Sequence, residues 1–460
     1  MSTLQFSTLN LKAALSDNLA TLGFKQMTPI QAQSLPLIID GKDVIAQAKT
    51  GSGKTAAFGL GLLNKLNVKK FRVQSLVLCP TRELADQVAK DIRDLARGIH
   101  NIKVLTLCGG MPMGPQISSL EHGAHIIVGT PGRIEDHLSK ERLNLDDLET
   151  LVLDEADRML EMGFQDSLDK IFSYCPEIRQ TLLFSATFPD QINSITAKIM
   201  NAPEYVKVES VTAENTINQS FYRVENNEQR IDALRLLLLA NQPESAIVFC
   251  NTKKTVQDVT SQLKQFGFSA IALHGDLEQR DRNETLVKFA NKSALILVAT
   301  DVAARGLDIN DLEAVFNYDL TPYAEVHVHR IGRTGRAGNK GMAYSIYCDK
   351  DLGRIVNIEE YQKQAIKILE LPNVSVLERT PKTPKMTTLQ IDGGKKQKLR
   401  PGDIVGGLTD ETGIKGDQIG KIQVFDVRAY VAVESKVVKA ALKKISNEKM
   451  KGKNFRVRAI

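Results

Sequence analysis

The amino-acid sequence predicts two α/β domains in tandem, each built on a parallel sheet, followed by a small α+β domain. Short apolar runs alternate with helical stretches, stop at a polar passage, Glu209–Gln219, and then resume. A shorter set of strands and helices follows three prolines between residues 372 and 384. The length of 460 residues agrees with several domains, because one domain averages ~150 residues.

The composition is ordinary for a globular protein, with 42% apolar and 25% charged residues. No apolar run approaches the ~18 residues of a membrane span, and residues 1–10 lack the basic start and apolar core of a signal peptide. We therefore expect a cytoplasmic protein with no membrane partner. The 5 cysteines are far apart and form no Cys-x-x-Cys pair, which indicates buried thiols and neither a zinc site nor a disulfide framework.

The first α/β domain covers residues 1–208. Its apolar runs are short enough to be buried strands, and the helical stretches between them are expected to cover both faces of the sheet. The predicted strands are Val44–Ala46, Ser75–Cys79, Val104–Cys108, His125–Val128, Leu151–Leu153 and Thr181–Phe184, and the helices include Arg82–Ala96 and Pro115–Glu121.

The second α/β domain covers residues 209–371 and repeats the same alternation. The predicted strands are Ala246–Cys250, Ala270–Leu273, Ala294–Ala299, Ala314–Asn317 and Met342–Tyr347, and the helices are Thr255–Phe266, Gln279–Ala290 and a final stretch, Leu352–Leu369. Residues 372–384 are predicted to be a linker with few contacts, because they carry three prolines and few apolar residues.

Residues 385–460 follow a βαββαβ order that predicts a small RRM-like module. The predicted elements are strand Thr387–Ile391, helix Gly402–Thr409, strands Lys421–Phe425 and Ala429–Val433, helix Ser435–Ile445 and strand Phe455–Ala459.

A glycine-rich segment, Ala48–Thr55, follows the first predicted strand and precedes a helix. Gly51 and Gly53 can adopt backbone angles closed to other residues, so several N–H groups can converge on one anion. Lys54 then reaches the outer phosphates, and the Thr55 hydroxyl is a ligand for Mg²⁺. Ala48 stands where the usual pattern has glycine, and the alternative is a turn that binds nothing. The predicted ATP-binding residues of this loop are Ala48, Lys49, Thr50, Gly51, Ser52, Gly53, Lys54 and Thr55.

Two adjacent carboxylates, Asp154 and Glu155, follow the predicted strand Leu151–Leu153. In a phosphate-loop nucleotidase, Asp154 would hold Mg²⁺ and Glu155 would polarise the attacking water. Alone, the tetrapeptide would be only an acidic turn. Because one of two similar domains carries the phosphate loop, we also expect the nucleotide to bind at their interface.

The four letters at 154–157 are those that name the DEAD-box RNA helicases, and the sequence resembles that family through both α/β domains. The resembling segments of the first domain are Gly23–Gln31 with Phe6 upstream, Pro80–Leu84, Gly109–Gly110, Thr130–Arg133 and Ser185–Thr187. Those of the second domain are Val248–Thr252, His274–Asp276, Gln279–Arg282, Ala299–Asp308 and His329–Arg336. The resemblance implies two RecA-like domains that bind ATP, Mg²⁺ and RNA.

The resemblance also implies a role for individual residues. It assigns catalysis to Glu155, Lys54, Arg333 and Arg336, and the coupling of hydrolysis to strand separation to Ser185 and Thr187. Further ATP contacts are expected from Phe24, Lys25, Gln31, Asp154, Gly306 and Asp308. RNA contacts are expected from Thr81, Arg82, Gly110, Thr130, Arg133, His274, Gly275 and Thr300.

These residue types suit their implied roles on physical grounds. The Gln31 amide carries a donor and an acceptor in one plane, as adenine recognition requires. Arg333 and Arg336 are three apart on an expected helix, so both guanidinium groups could face a transferring phosphoryl group. Hydroxyls and arginines suit phosphate oxygens, which predicts contact with RNA regardless of sequence. A lone arginine would be better explained by a surface ion pair, and His274 and His329 have no second ligand at zinc spacing.

Positive charge is concentrated at the C-terminal end. Residues 385–460 contain 17 basic and 8 acidic residues, whereas the first 384 contain 43 basic and 46 acidic, within a total net charge of +6. This asymmetry indicates a nucleic-acid-binding appendage, and the alternative is a solvated tail. The module resembles that of the bacterial DEAD-box protein A subfamily, which implies binding to a hairpin of large-subunit ribosomal RNA.

The module departs from an ordinary RRM because only Tyr430 and Phe425 could stack on bases. Contact with the RNA backbone is therefore the better prediction. The predicted contacts are Lys396, Arg400, Lys451 and Arg456.

Together these features predict an ATP-dependent RNA helicase that acts in assembly of the large (50S) ribosomal subunit. Its expected partners are 23S ribosomal RNA and precursor particles of that subunit. Two alternatives are an ATP-gated RNA clamp without productive unwinding and a DNA helicase with the same two-domain core. Strand displacement tests the first alternative, and comparing ATPase stimulation by RNA and DNA tests the second.

Overall fold

A computed structural model describes residues 5–48, 51–188, 190–208, 217–304, 309, 312–335, 340–409, 414–447 and 449–460. The chain divides into two units, which are considered separately: one contains the first sheet, and the other contains the second sheet and the C-terminal module. None of the helices in these ranges has the length and apolar character needed to cross a membrane.

The first unit contains a seven-stranded parallel sheet in the order β3-β4-β2-β5-β6-β1-β7. Its strands are β1 Val44–Gln47, β2 Ser75–Leu78, β3 Val104–Leu107, β4 Ile126–Gly129, β5 Thr150–Asp154, β6 Gln180–Ser185 and β7 Glu204–Lys207. Its helices are α1 Ala13–Thr21, α2 Pro29–Ile39, α3 Lys54–Lys65, α4 Arg82–Leu95, α5 Met113–Glu121, α6 Pro131–Ser139, α7 Ala156–Glu161, α8 Gln165–Ser173 and α9 Asp190–Ile199.

Both faces of this sheet are buried. Successive side chains of a strand point to opposite faces, so neighbouring residues enter different apolar clusters. In β1, Val44 and Ala46 belong to one apolar cluster and Ile45 to another. The six strands predicted for this domain are confirmed to within one or two residues, and β7 is an additional edge strand.

The second unit contains a seven-stranded parallel sheet in the order β10-β11-β9-β12-β13-β8-β14. Its strands are β8 Ile217–Arg223, β9 Ala246–Phe249, β10 Ala270–Leu273, β11 Ile296–Ala299, β12 Ala314–Asn317, β13 Gly341–Tyr347 and β14 Ile368–Leu369. Its helices are α10 Arg230–Asn241, α11 Lys253–Gln265, α12 Gln279–Ala290, α13 Asp301–Ala304, α14 Ala324–Ile331 and α15 Leu352–Gln362.

The helix predicted over Leu352–Leu369 is wrong in its last turns. The helix ends at Gln362, because Lys363 adopts a left-handed backbone conformation with a φ of 53°. Residues 368–369 then form β14, which pairs in parallel with β8 at the edge of the sheet. A short apolar run therefore continues the sheet and not the helix.

The C-terminal module is a four-stranded antiparallel sheet in the order β16-β17-β15-β18, with two helices packed on one face. Its elements are β15 Met386–Ile391, α16 Pro401–Leu408, β16 Ile419–Val424, β17 Ala429–Glu434, α17 Val438–Asn447 and β18 Val457–Ala459. The βαββαβ order and the RRM-like topology are confirmed.

Residues 372–384 are not a linker with few contacts, as their prolines suggested. A 3-10 helix, Val374–Glu378, contributes Val376 and Leu377 to the apolar cluster that includes α10. Glu244 forms ion pairs with Lys382 and Lys385 at 3.1 and 2.9 Å. A few apolar side chains are thus enough to hold a proline-containing segment against the second sheet's helices.

The outer face of β15 packs against the segment that follows α12. Leu389 and Ile391 point into the module's own core, so Thr388 and Gln390 point to the opposite face, where both are buried. The Thr388 hydroxyl lies 3.1 Å from Asn291 Nδ2 and 2.6 Å from Ser293 Oγ. The module and the second sheet therefore share a hydrogen-bonded contact.

Candidate functional site

The predicted phosphate loop joins β1 to α3. Gly51 and Gly53 have φ angles of +83° and +94°, and a Cβ on Gly53 would collide with the Gln31 amide, so glycine is required there. Lys54 is buried, and its ammonium donates to the Ala48 carbonyl at 2.7 Å. The Ser52 hydroxyl is buried and has no hydrogen-bond partner in the described part of the chain. A buried cation beside an unpartnered hydroxyl suits a phosphate group. Lys49 and Thr50 lie outside the described residues.

The predicted acidic pair stands where β5 ends. Burial raises the pKa of Asp154 to about 7, although the Lys54 ammonium opposes this rise. Glu155 adopts the left-handed conformation with a φ of 55°, which is uncommon outside glycine and frequent at functional sites. Its Oε2 atom is buried without a hydrogen bond among the described residues and lies 3.4 Å from Arg158 Nε. Thr55 is the second residue of α3 and is half-buried. These oxygen ligands are of the type that Mg²⁺ prefers.

The last carboxylate of the 154–157 motif joins it to the segment predicted to couple hydrolysis to strand separation. Asp157 accepts hydrogen bonds from the Thr187 backbone N–H at 2.9 Å and hydroxyl at 2.8 Å. Ser185 donates to the Thr187 carbonyl at 2.7 Å. Burial alone would raise the pKa of Asp157, but the hydrogen bonds from Thr187 outweigh it and leave this pKa below its ordinary value. The two motifs form one connected unit.

The predicted adenine-reading residues lie beside the phosphate loop. Gln31 is buried, accepts from the Thr28 N–H at 2.9 Å and donates to the Gly53 carbonyl at 3.0 Å. An amide offers two donors and two acceptor positions, so one of each is left for a ligand. Phe24 packs edge-on against Phe6 with ring centroids 6.0 Å apart. Lys25, next to Phe24, is exposed.

Three of the predicted RNA-contact segments converge at the carboxyl ends of β2, β3 and β4. Thr81 caps α4 by accepting from the Leu84 N–H at 3.3 Å. A Cβ on Gly110, whose φ is +69°, would collide with the Arg82 guanidinium. Arg133 donates to the Met111 carbonyl at 3.2 and 3.3 Å.

Thr130 completes this group, because its hydroxyl lies 3.5 Å from the Gly109 N–H. The segments around residues 81, 110 and 130 therefore form one surface. Its contact with RNA remains a prediction.

In the second unit, the predicted RNA contacts also follow the carboxyl ends of strands. His274 is buried after β10, where its Nε2 atom lies 3.2 Å from Gln257 Nε2 and its Nδ1 atom has no hydrogen-bond partner. Gly275 follows it, and a Cβ there would lie in ordinary contact with Lys253. The Thr300 hydroxyl accepts from the Ala303 N–H at 3.3 Å.

The expected helix containing Arg333 is wrong. Helix α14 ends at Ile331 with Gly332 as its cap, and the next residues form a turn that is bridged to Leu312. Arg333 is buried in that turn. Gly332, the cap, has an ordinary φ of −66°, whereas Gly335 in the turn that follows has a φ of +70°, a conformation that favours glycine. Gly306, Asp308 and Arg336 lie outside the described residues.

Arg330 connects three of the motifs, although sequence reasoning gave it no role. Its guanidinium binds both carboxylate oxygens of Asp301 at 2.6 and 2.7 Å and Asn251 Oδ1 at 2.8 Å. It is among the largest fully buried side chains. A buried arginine requires such partners. The sequence signal that could have identified Arg330 was its place inside the His329–Arg336 motif.

The four basic residues predicted to bind RNA in the C-terminal module, Lys396, Arg400, Lys451 and Arg456, are exposed. Lys451 donates to the Lys398 carbonyl at 2.9 Å, which joins two basic loops of the module. Tyr430 is 3% exposed and packs edge-on against Phe425, with centroids 5.6 Å apart. Tyr430 offers no open face to a base in this arrangement.

A phosphate loop and a buried acidic pair on one parallel sheet, followed by a second sheet of the same type, define an ATP-hydrolysing enzyme of the RecA-like class. The chain belongs to the DEAD-box ATP-dependent RNA helicases and, within them, to the DbpA subfamily. The DEAD/DEAH box helicase family matches residues 28–195, the helicase conserved C-terminal domain matches residues 229–338, and the DbpA RNA binding domain matches residues 388–459.

Individual relatives agree with this assignment. The chain is 53% identical to the ATP-dependent RNA helicase DbpA of Escherichia coli K12 over 99% of both chains. It is 44% identical to the DEAD-box ATP-dependent RNA helicase CshA of Bacillus cereus, over 80% of this chain and 70% of that one. Saccharomyces cerevisiae Dbp5 bound to RNA and ADP BeF3 is 31% identical and superposes with a TM-score of 0.71 over 82% of this chain and 100% of that one.

Proposed function

We propose that this RNA helicase remodels 23S ribosomal RNA during assembly of the 50S subunit in the cytoplasm. The observation that carries the proposal is the basic surface of the C-terminal module, within a region of 17 basic and 8 acidic residues that matches the DbpA RNA binding domain. The 53% identity to a DbpA protein over the whole chain supports the same role. The expected partners are large-subunit ribosomal RNA, in particular a 23S hairpin, and precursors of the large subunit.

Within this function, we propose that Thr55 and Asp154 hold Mg²⁺ beside the ATP phosphates. When bound there, Mg²⁺ would neutralise charge on the phosphates and help to orient them for attack. Lys54 is already buried, donates to the Ala48 carbonyl at 2.7 Å, and would donate to the outer phosphates. Glu155 would accept a proton from, or orient, the attacking water with its Oε2 atom, which lies 3.4 Å from Arg158 Nε and has no hydrogen bond among the described residues.

The hydrogen bonds between Asp157 and Thr187 give hydrolysis a route to the RNA-binding surface. Any shift of residues 154–157 on hydrolysis is transmitted to Ser185 and Thr187, because the two segments share three hydrogen bonds. Arginines and hydroxyls at residues 81–82 and 130–133, together with the backbone at Gly110, then hold the phosphates of one strand without reading its bases. Arg333 and Arg336 supply positive charge to the transferring phosphoryl group.

A binding titration tests the targeting role of the module. Lys396→Ala, Arg400→Ala, Lys451→Ala and Arg456→Ala would be combined and compared with the wild type on a 23S fragment and on an unrelated RNA, at several salt concentrations. The matched control combines Lys439→Ala and Lys443→Ala, which are exposed on α17 of the same module.

The combined variant should lose preference for the 23S fragment, and the slope of log K against log[salt] should become shallower by ~0.7–0.9 per lost phosphate contact. The α17 control should keep both properties. An unchanged preference in the combined variant contradicts the proposed surface.

A further inference from the structure

Gln116 is a buried polar residue that no part of the proposed function uses. It lies on α5, whose other residues are half-buried or exposed, and only 7% of its surface is accessible. Its amide Nε2 donates to the Cys108 carbonyl at 3.0 Å, and its Oε1 atom lies 3.2 Å from His137 Nε2. Gln116 therefore connects the end of β3, through α5, to a side chain on α6.

The orientation of the amide fixes the protonation of His137. The Cys108 carbonyl can only accept, so it selects the NH₂ end of Gln116 and leaves the amide oxygen facing His137. His137 Nε2 must then carry the proton and donate. The imidazole is fully buried, and burial, reinforced by the nearby Arg133 charge, lowers its pKa. His137 therefore stays neutral and acts as a fixed hydrogen-bond donor.

This chain of hydrogen bonds lies beneath two segments that are proposed to bind RNA. Cys108 immediately precedes the Gly109–Met111 loop, and His137 is on α6, the helix that begins after Thr130. The same two segments are also joined by a part-buried hydrogen bond from the Gly109 N–H to the Thr130 hydroxyl, at 3.5 Å, and by an exposed one from Arg133 to the Met111 carbonyl. The loop and the helix are thus connected at two levels, one part-buried or exposed and one buried.

We propose that Gln116 and His137 are positioning residues for RNA binding, which hold the 109–111 loop and the start of α6 at the spacing of successive phosphates on one strand. The inference rests on the proposed RNA contacts of these segments. Neither residue touches RNA, because both are buried. Their effect is to preorganise groups that do, and a displacement of about 1 Å is enough to weaken a preorganised site.

Two substitutions break the connection at different points. Gln116→Ala leaves the Cys108 carbonyl and the His137 N–H without partners, and His137→Leu removes the donor. His137→Gln is the rescue variant, because its amide nitrogen reaches the position of Nε2 and can donate to Gln116. Gln74→Ala is the matched control: Gln74 is equally buried and holds the Asn67 and Lys70 carbonyls at 2.9 and 2.7 Å, but precedes the amino end of β2.

The readout is the RNA concentration that gives half-maximal ATPase activity, measured at several salt concentrations, together with ATP affinity without RNA and the melting temperature. Arg133→Ala is included as a variant that removes a proposed phosphate contact. Gln116→Ala and His137→Leu should raise the half-maximal RNA concentration ~10-fold, with ATP affinity and the salt slope unchanged. Arg133→Ala should weaken binding and make the slope shallower by ~0.7–0.9. His137→Gln should recover most of the lost affinity.

Two outcomes overturn the inference, and they are distinguishable. If Arg133→Ala weakens RNA binding while Gln116→Ala only lowers the melting temperature, as Gln74→Ala does, the RNA surface stands and the positioning role is wrong. If neither Arg133→Ala nor Gln116→Ala changes the half-maximal RNA concentration, the proposed RNA contacts of this surface fail, and the positioning role fails with them.

Discussion

At the scale of single residues, the nucleotide site contains several groups that are costly in the absence of a ligand. Among the described residues, neither the buried Ser52 hydroxyl nor the buried Glu155 Oε2 atom has a hydrogen bond, and Glu155 has a left-handed backbone. Lys54 is buried and donates to the Ala48 carbonyl. These groups lie together at the carboxyl ends of β1 and β5, so the cost is concentrated where phosphates and water are expected.

The charge of Glu155 gives the first prediction. Glu155→Gln keeps the shape of the side chain but removes the charge that orients water, so turnover should fall ~10²-fold or more while ATP binding survives. Steady-state ATPase rates with saturating RNA and equilibrium ATP binding measure the two effects. Glu161→Gln, exposed on the same helix, should change neither. Normal turnover in Glu155→Gln would exclude this residue from the mechanism.

Gln31 gives a second prediction, because its amide has two separable roles. Its hydrogen bond to the Gly53 carbonyl supports the phosphate loop for any nucleotide, whereas its free donor and acceptor would recognise adenine. Gln31→Ala should therefore weaken ATP binding by ~1–3 kcal/mol and GTP binding by less.

The test measures the affinities of ATP and GTP for the wild type and for Gln31→Ala. A fall of equal size for ATP and GTP would retain the loop-supporting role and contradict adenine recognition.

At the scale of elements, a part-buried hydrogen bond between two polar side chains holds α14 against the second sheet. His327 on α14 is buried, and its Nε2 atom lies 3.1 Å from Gln219 Oε1 on β8. Its ring is 5.8 Å from that of Phe221, and its Nδ1 atom has no partner. Burial, followed by the neighbouring Arg330 charge, lowers the pKa of His327 to about 3.

The low pKa of His327 predicts an acid-sensitive packing of α14. Between pH ~6.5 and about 3, the unfolded chain binds a proton that the folded chain does not, so stability rises with pH in that window and is lost as pH falls through it. The contribution is at most ~1.4 kcal/mol per pH unit. Urea midpoints at pH 5 and pH 7 should therefore differ less in His327→Gln than in the wild type.

The exposed residue His100 provides the control for this measurement. His100→Gln should keep the pH dependence of the wild type. Identical pH dependence in His327→Gln and the wild type would contradict the assignment of a neutral, buried imidazole.

The sequence predicted continuous apolar strands and motif positions better than short or exposed strands and supporting residues. Strand β10, at one edge of its sheet, and strand β12, inside it, have their predicted bounds because their apolar runs are short and flanked by polar residues. Strand β7 was missed because three of its four residues are exposed, and β14 because it has only two. Strand β8 was also missed, because it begins inside the polar passage Glu209–Gln219. Such strands lack the continuous apolar signal that identifies the others.

The buried residues that hold the site in place were harder to predict than the strands. A single polar residue in a helix, such as Gln116 or His137, has the sequence pattern of a surface position, and only the fold shows that it is buried. The turn that holds Arg333 was missed because α14 ends early, at Ile331. Tyr430 was one of two residues that could have stacked on bases, but the face of β17 that carries it is buried, which only the fold shows.

At the scale of the whole molecule, the second sheet and the C-terminal module are more closely connected than the proline-containing segment suggested. The contacts of Thr388 with Asn291 and Ser293 bury part of the sheet face that ordinary RRMs use for base stacking. The loops around Lys396 and Lys451 are exposed, which agrees with their proposed contact with RNA. This arrangement favours recognition of an RNA backbone over stacking on the sheet.

Strand displacement would show whether this helicase separates RNA strands next to a large-subunit ribosomal RNA element. Three substrates would be compared: a short labelled RNA duplex attached to a 23S hairpin fragment, the same duplex attached to an unrelated hairpin, and a DNA duplex attached to the 23S hairpin. We expect ATP-dependent release of the RNA strand beside the 23S hairpin, much slower release beside the unrelated hairpin, and no release by Glu155→Gln. Equal release from both RNAs, or ATP-dependent binding without release of a strand, would contradict this expectation.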